Sequence, residues 1–247
     1  MRVDLQPCWI LHRRPWRESS LLVEVFSRDH GRLGLVAKGA RRPSSNSRGL
    51  TEPFIALQCS WTRRSELGTL TGLEASATGV ALKGRALWCG LYLNELLMTL
   101  FGRDDPVPEL FDVYSTSLPA LADQDRQAEA LRRAEMAMLS VLGVMPDLTR
   151  CGGSDEPILA DGLYHVVPEA GLIAADSEKT GVIEGRTALY LAGRIEAAAD
   201  ARIRREARTL TRCLMDHQLA GRVLKTRELL GQRHTRRESA QLSGSKT

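Results

Sequence analysis

The stretch LLVEVF at residues 21–26, followed by GLVA at residues 34–37, decides the fold of the first part of the chain. Both runs are short and apolar, and a turn-rich segment separates them, so they predict antiparallel strands. Similar runs lie at residues 8–11, 54–57 and 67–70. About five such strands in about seventy residues are typical of a small closed barrel, and both an OB-fold and an SH3-like barrel fit the pattern.

After Gly79 the apolar residues recur at helical spacing, which predicts helices near residues 87–100, 118–121 and 128–142. A Gly- and Asp-rich segment with a predicted hairpin interrupts this pattern. The fold class is therefore α+β and multidomain: an N-terminal OB-fold β-barrel followed by an α-helical domain with a small irregular or hairpin insert. The predicted boundaries are 1–79 for the barrel, 80–149 for the helical domain, 150–185 for the insert, 186–231 for the C-terminal helices and 232–247 for a disordered tail.

Charge is distributed unevenly along the chain. Residues 1–80 carry 12 Lys and Arg against 7 Asp and Glu, residues 81–199 carry 10 against 18, and residues 200–247 carry 12 against 5. Two basic ends therefore flank an acidic middle. Basic segments attract polyanions through counterion release, which favours nucleic acid as the partner over an anionic membrane surface.

The sequence argues against several classes of protein. No run approaches the roughly 20 apolar residues that a membrane span needs, and the first residues lack the pattern of a signal peptide, so we expect a cytoplasmic protein. The five cysteines are scattered along the chain, which argues against a disulfide framework or a local zinc site. Common motifs for phosphate binding and for hydrolysis do not occur in it, so we expect no catalytic residues, no enzyme activity and no cofactor.

The basic residues of the barrel loops are the candidate nucleic-acid site. Arginine and lysine can contact phosphates there, and an aromatic side chain such as Trp9, Trp16, Phe54 or Trp61 can stack on a base. Trp16 has the most polar surroundings of these four. The barrel candidates are Arg13, Arg14, Trp16, Arg17, Lys38, Arg41, Arg42, Arg63 and Arg64. A second candidate is the helical stripe of Arg204, Arg208 and Arg212. Solvated basic surfaces remain the alternative for both sets.

Several short segments follow one another along the chain in a characteristic order and spacing. The first segments lie at residues 9–21 and 26–32, and the most characteristic one is LVAKGAR at 35–41. The later segments are Leu50 with residues 53–54, GLYLNELL at 90–97, Gly143 with residues 151–152, and KTRELL at 225–230. In this order and spacing they resemble the RecO family of bacterial DNA repair proteins. The resemblance covers nearly all of the chain, and it implies an N-terminal OB-fold, a helical domain and a binding protein without enzyme activity.

The resemblance also implies partners. Proteins of this family bind single-stranded DNA and, more weakly, double-stranded DNA; they anneal complementary strands and help RecA to load on DNA coated with the single-stranded DNA-binding protein SSB. RecR and the acidic C-terminal tail of SSB are further implied partners, with a functional link to RecF, nucleoid association during repair and no membrane. Our hypothesis for the SSB-tail site combines a basic rim with apolar residues, which would otherwise pack the helical core. These residues are Tyr92, Leu93, Arg132, Arg133, Met136 and Leu139.

The chain departs from the family in its insert. Many members carry four cysteines in two pairs there, which form a zinc site. In this chain only Cys151 remains, and Gly152, Gly153 and Ser154 stand where the next thiols would be. We therefore predict that the protein holds no metal.

Two other functions stay open at this point. A basic scaffold that binds only repair proteins would show negligible affinity for DNA at moderate salt. A nuclease with an unrecognised acidic site would cleave DNA in the presence of magnesium. Its acids would be sought among Asp104, Asp105, Glu109 and Asp112, which the intervening prolines predict to be a solvated loop.

Overall fold

The computed structural model describes residues 1–43, 45, 47, 49–76, 79–176, 181–196 and 200–230. These residues form two compact units, one of residues 1–127 with the segment from 223 onward and one of residues 128–222. The units divide the helices differently from the predicted domain boundaries, which stay predictions, and the predicted tail at 232–247 lies outside the described residues. No helix in the described part of the chain is long and apolar enough to cross a membrane.

The first unit contains five strands and two long helices. The strands are β1 (Arg2–Trp16), β2 (Ser20–Ser27), β3 (Gly31–Ala37), β4 (Leu57–Arg63) and β5 (Leu67–Ala75). The helices are α1 (Gly84–Leu100) and α2 (Pro108–Ala122). The second unit contains all but the first residue of α3 (Gln127–Val141), together with β6 (Leu163–Val167), β7 (Gly171–Ala174), β8 (Val182–Glu184), α4 (Gly185–Leu191) and α5 (Ala201–Leu219).

The five strands of the first unit close into a barrel in the order β1-β2-β3-β5-β4. All neighbours are antiparallel except β3 and β5, which run parallel, with Gly34 opposite Leu67. Alternate residues of the strands, such as Val23, Val25 and Leu35, point inward and are completely buried. The closed five-stranded barrel and the helical region after it confirm the predicted OB-like α+β fold.

Two strands differ from the sequence prediction. The fourth strand begins at Leu57, whereas the sequence predicted it at residues 54–57. Phe54 adopts a left-handed conformation with φ 67°, and its ring packs so closely on Gly90 of α1 that a Cβ there would lie 2.9 Å away. The second difference is β8, which pairs with β6 and completes a three-stranded sheet. With three residues, β8 is too short to show an alternating pattern.

Helices α1 and α2 cover the outer face of β1 and β2. Trp9 and Phe26 point outward from these strands and contact the ring of Tyr114 on α2 at 5.9 Å between centroids. The indole of Trp9 also donates a hydrogen bond to Ser115, at 2.7 Å. Helix α2 begins at Pro108, a position where proline removes no helical hydrogen bond.

A β-bulge in β1 creates a buried polar contact between the barrel and these helices. Ile10 pairs with Val25 and His12 pairs with Glu24, so Leu11 is the extra residue and lacks a partner in the ladder. The side chain of Asn94 on α1 donates to the Leu11 carbonyl at 2.8 Å and accepts from the Tyr114 hydroxyl at 2.6 Å. Burial raises the pKa of Tyr114, so this hydroxyl stays a donor.

The chain returns to the first unit at residues 223–230, of which 225–230 are helical. The carboxylate of Glu95 on α1 caps this short helix. It accepts hydrogen bonds from the backbone N–H of Lys225 at 2.8 Å and from the N–H and hydroxyl of Thr226 at 2.9 and 2.6 Å. Nearby, Arg227 donates to the hydroxyl of Tyr92 at 3.0 Å and lies over its ring. One acidic side chain therefore anchors the returning segment.

In the second unit, a buried carboxylate joins α5 to the sheet. Glu206 accepts hydrogen bonds from the backbone N–H of Glu184, the hydroxyl of Thr187 and the guanidinium of Arg202 at 3.0, 2.6 and 2.8 Å. Burial alone would raise the pKa of Glu206, but these hydrogen bonds outweigh it and lower the pKa. This contribution to stability is complete above the ordinary pKa of glutamate and is lost as the pH falls through the lowered value.

We expect Asn94→Ala to lower the free energy of unfolding by about 2–4 kcal/mol, because it leaves the Leu11 carbonyl and the Tyr114 hydroxyl buried without partners. Urea denaturation followed by circular dichroism measures this change. Thr116→Ala, on the exposed face of α2, is the control and should change stability by less than about 0.5 kcal/mol. Equal stabilities of the two variants would contradict the role of Asn94.

We expect Glu95→Ala to speed amide hydrogen exchange at residues 223–230 by about tenfold, since the capping hydrogen bonds to a carboxylate are removed. Exchange in the barrel strands should stay unchanged. Mass spectrometry of the exchanged peptides reports both regions in one experiment. Glu109→Ala, which removes an exposed acid of α2, serves as the control, and unchanged exchange at residues 223–230 in Glu95→Ala would show that the cap is dispensable.

Candidate nucleic-acid interface

The register of the barrel brings two of the predicted basic loops together. Trp16 at the end of β1 pairs with Ser20, and Leu21 pairs with Ala37 at the end of β3. The β1–β2 turn and the segment after β3 therefore lie side by side, at what we call the Trp16 end of the barrel. The predicted site residues at this end are Arg13, Arg14, Trp16, Arg17, Lys38, Arg41 and Arg42, and all of them except the half-buried Trp16 are exposed.

A cleft of 490 Å³ opens at the Trp16 end. Its lining includes three of the predicted arginines, Arg13, Arg14 and Arg41. It also includes Glu52, whose carboxylate forms an ion pair with Arg13. Sequence reasoning missed Glu52, because it is an isolated acid and only the closure of the barrel brings it to Arg13.

Arg41 also holds the Trp16 end together. Its backbone N–H donates to the carbonyl of Ser19 at 2.9 Å, and its guanidinium donates to the carbonyls of Arg17 and Glu18 at 3.3 and 3.2 Å. Arg17 is in the left-handed region at φ 53°, which costs a residue other than glycine some strain. Arg41 thus fixes the β1–β2 turn while its charge stays exposed, so replacing it would disturb structure as well as charge.

The third basic loop lies elsewhere, although the sequence suggested that it would converge with the others. The β4–β5 turn carries Arg63 and Arg64 and adjoins the start of β1, where Thr62 pairs with Arg2. This is the opposite end of the barrel, which we call the Arg63 end. Arg63 makes a two-pronged ion pair with Asp104, and its hydrogen bonds lower the pKa of that carboxyl.

Of the four acidic residues that the sequence predicted to form a solvated loop, Glu109 and Asp112 lie in α2, and Asp104 and Asp112 are paired with arginines. Besides Asp104, Asp112 accepts two hydrogen bonds from Arg28, at 3.1 and 3.0 Å. These bonds lower the pKa of Asp112. The two carboxylates therefore serve to attach the helices to the barrel.

The structure restricts which aromatic side chains can stack on a base. Trp9, Phe54 and Trp61 are buried, and Trp61 is completely inaccessible, so the suggestion that Trp61 offers a stacking face is wrong for this conformation. Trp61 alternates with Cys59 on the inner face of β4. Trp16 is half-buried at the end of β1 and is the tryptophan that remains for this role in the barrel.

The second predicted basic set lies on α5 in the second unit. Arg204, Arg208 and Arg212 are exposed along one face of this helix, and the opposite face is buried through residues such as Ile203 and Leu210. The guanidinium of Arg212 lies 3.5 Å from the carboxylate of Asp216. The stripe is therefore accessible, and its contact with DNA stays a prediction.

The residues proposed for the SSB tail are distributed over both units. Tyr92 and Leu93 belong to α1, and both are buried. On α3, Leu139 is completely buried, while Arg132 donates to Thr211 and Glu135 at 2.8 and 2.9 Å. Leu93 and Leu139 are thus core residues here, which leaves the exposed Arg133 and the half-buried Met136 as the accessible members of the set.

The insert carries one cysteine, Cys151, and its backbone is packed too closely for a second cysteine at position 152. A Cβ at Gly152 would lie 1.5 Å from the carbonyl oxygen of Ala170, so a cysteine there would require the backbone to move. In the part of the chain that the structure describes, no three His, Cys, Asp or Glu side chains are grouped so that they could hold a metal. A cleft of 680 Å³ next to Cys151 is lined by Glu169 and His217, whose side chains lie 3.6 Å apart.

We expect the purified protein to contain far less than one zinc ion per chain, because Cys151 is the one cysteine of the insert and zinc sites of this kind need four ligands. Elemental analysis by mass spectrometry, after dialysis against buffer without chelator, measures the content. Stoichiometric zinc that survives dialysis would contradict this prediction.

The similarity to known proteins extends over almost the whole chain. Residues 1–78 match the family described as Recombination protein O N terminal, and residues 82–228 match Recombination protein O C terminal. Three similar relatives are each named DNA repair protein RecO. That of Halorhodospira halophila is 42% identical over 91% of this chain and 95% of its own. The others, from Methylococcus capsulatus and Alkalilimnicola ehrlichii, are 42% and 45% identical over 92% and 94% of this chain and 93% and 92% of theirs. The chain therefore belongs to the RecO family of DNA repair proteins.

Proposed function

We propose that the protein binds single-stranded DNA, and double-stranded DNA more weakly, through the cleft at the Trp16 end of the barrel. The observation that carries the proposal is the convergence of Arg13, Arg14 and Arg41 on one cleft. Arginine at such a position neutralises backbone phosphates and releases their counterions, which supplies affinity without sequence specificity. Trp16, half-buried and close in sequence to the cleft arginines, offers a face on which a base can stack.

Annealing follows from the same electrostatics. Two complementary strands repel each other through their phosphates, and a cationic surface that holds one strand lowers this repulsion for the second. We therefore propose that the protein anneals complementary strands and helps RecA to load on DNA coated with SSB. No step of this function makes or breaks a covalent bond, so the proposal treats the protein as a binding protein and not as an enzyme.

Protein partners belong to the proposal as well. We propose the SSB tail and RecR as direct partners, with a functional link to RecF, as the family resemblance implies. An acidic tail with apolar terminal residues would find a cation in Arg133 and an apolar side chain in Met136 on α3. The basic stripe on α5 is a further candidate for contact with DNA.

The DNA proposal predicts a dependence on charge at one end of the barrel. We expect Arg14→Glu/Arg42→Glu to weaken binding of a labelled single-stranded oligonucleotide at least about tenfold at low salt. The slope of log affinity against log salt should become shallower by about 0.7 for each phosphate that the variant no longer neutralises. Fluorescence anisotropy measures both quantities, and strand annealing by the same variant should slow.

The matched control is Arg2→Glu/Arg64→Glu, which makes the same change in charge at the Arg63 end of the barrel. All four replaced arginines are exposed, so neither double variant should destabilise the fold. Equal weakening of DNA binding by the two variants would show that the net charge of the protein, and not the cleft, determines its affinity for DNA. Absence of binding by the wild type would favour the scaffold function, and magnesium-dependent cleavage of the oligonucleotide would favour a nuclease.

A further inference from the structure

The cleft at the Trp16 end contains an acid that opposes its proposed ligand. Among the described residues that line the cleft, Glu52 is the one acidic side chain. Its carboxylate is paired with the guanidinium of Arg13, and the two side chains are 49% and 38% exposed. The pair is therefore open to solvent and to any anion that enters the cleft.

Glu52 is held on the cleft wall by its backbone. Its N–H donates to the carbonyl of Gly49 at 3.4 Å, and its neighbour Thr51 is buried at 1% exposure. Gly49 adopts φ 91°, a conformation that strongly favours glycine. The side chain is thus open to water, but the backbone that carries it stays beside Arg13.

A carboxylate on a guanidinium occupies the position that a phosphate oxygen would take. Both are oxygen anions that arginine binds with the same paired geometry. The Glu52 carboxylate and a DNA phosphate therefore compete for Arg13. Exposed ion pairs are weak, because each charge regains water when the pair opens, so a phosphate can displace Glu52.

We propose that Glu52 is an internal competitor that limits the affinity of the cleft for DNA and selects a strand over an isolated phosphate. This inference rests on the proposed DNA-binding function of the same cleft. A strand that is already anchored on Arg14 and Arg41 presents its next phosphate to Arg13 at high effective concentration and displaces the carboxylate. A single inorganic phosphate lacks this advantage, so Glu52 keeps Arg13 occupied against it.

The test replaces the carboxylate by a neutral side chain of the same shape. We expect Glu52→Gln to tighten binding of a single-stranded oligonucleotide about threefold to tenfold at low salt, because one negative charge next to the bound phosphate is removed. The salt slope should steepen by up to about 0.7, because the wild type has a displaced carboxylate that takes up a cation and so reduces the net counterion release, and the variant does not. Protection by inorganic phosphate against thermal unfolding should also become measurable at lower phosphate concentration than in the wild type.

The control is Glu66→Gln, which removes an exposed acid from the turn at the Arg63 end. It makes the same change in net charge, and it should alter affinity less than about twofold and leave the salt slope unchanged. Thermal unfolding of both variants verifies that the fold is intact.

The outcomes separate this inference from the function on which it rests. If Arg14→Glu/Arg42→Glu weakens binding but Glu52→Gln behaves like Glu66→Gln, the cleft binds DNA and the competitor role is wrong. If Arg14→Glu/Arg42→Glu had no effect on binding, the proposed function itself would be wrong. Tighter binding with a steeper slope in Glu52→Gln alone supports the proposal.

Discussion

The hydrogen-bond chain from the Leu11 carbonyl through Asn94 to Tyr114 is the constraint on which the rest of the first unit depends. The bulge in β1 turns an unpaired carbonyl toward a surface that two helices cover, and a buried carbonyl needs a donor. The Tyr114 hydroxyl needs an acceptor, and a single amide side chain supplies both. Because the three groups lie on β1, α1 and α2, satisfying them fixes the position of both helices on the barrel.

The position of α1 decides which end of the barrel keeps its positive charge. Its first turns lie near Phe54, and its last carbonyls accept hydrogen bonds from Arg32 at the start of β3. The loop that follows α1 therefore reaches the Arg63 end, where Asp104 neutralises Arg63. At the Trp16 end Glu52 pairs with Arg13, whereas Arg14 stays exposed. The asymmetry of the barrel thus results from where one helix ends.

The sequence predicts the barrel well, because short runs of alternating apolar residues are compatible with few other folds. The sequence places the start of β4 too early because it includes the apolar Phe54 in the strand. The ring of Phe54 instead packs against Gly90 of α1, a tertiary contact that a local pattern does not contain. The separation of Arg63 from the cleft depends on the pairing of the end of β4 with the start of β1, where Thr62 lies opposite Arg2, and no local pattern contains this long-range pairing. The burial of Trp61 could have been predicted, since Cys59 and Trp61 alternate with polar neighbours along β4.

Competition inside the cleft would affect release of DNA as much as binding. When a phosphate leaves an arginine that has no other partner, the free guanidinium recaptures the strand at once. When Glu52 takes the place of the departing phosphate, the partly released state is stabilised and the next phosphate can leave in turn. Strand annealing and transfer to another protein both require such stepwise release, whereas a cleft of arginines alone would favour retention. An acid among the arginines is therefore compatible with a protein that passes DNA on, and a site selected for maximal affinity would exclude it.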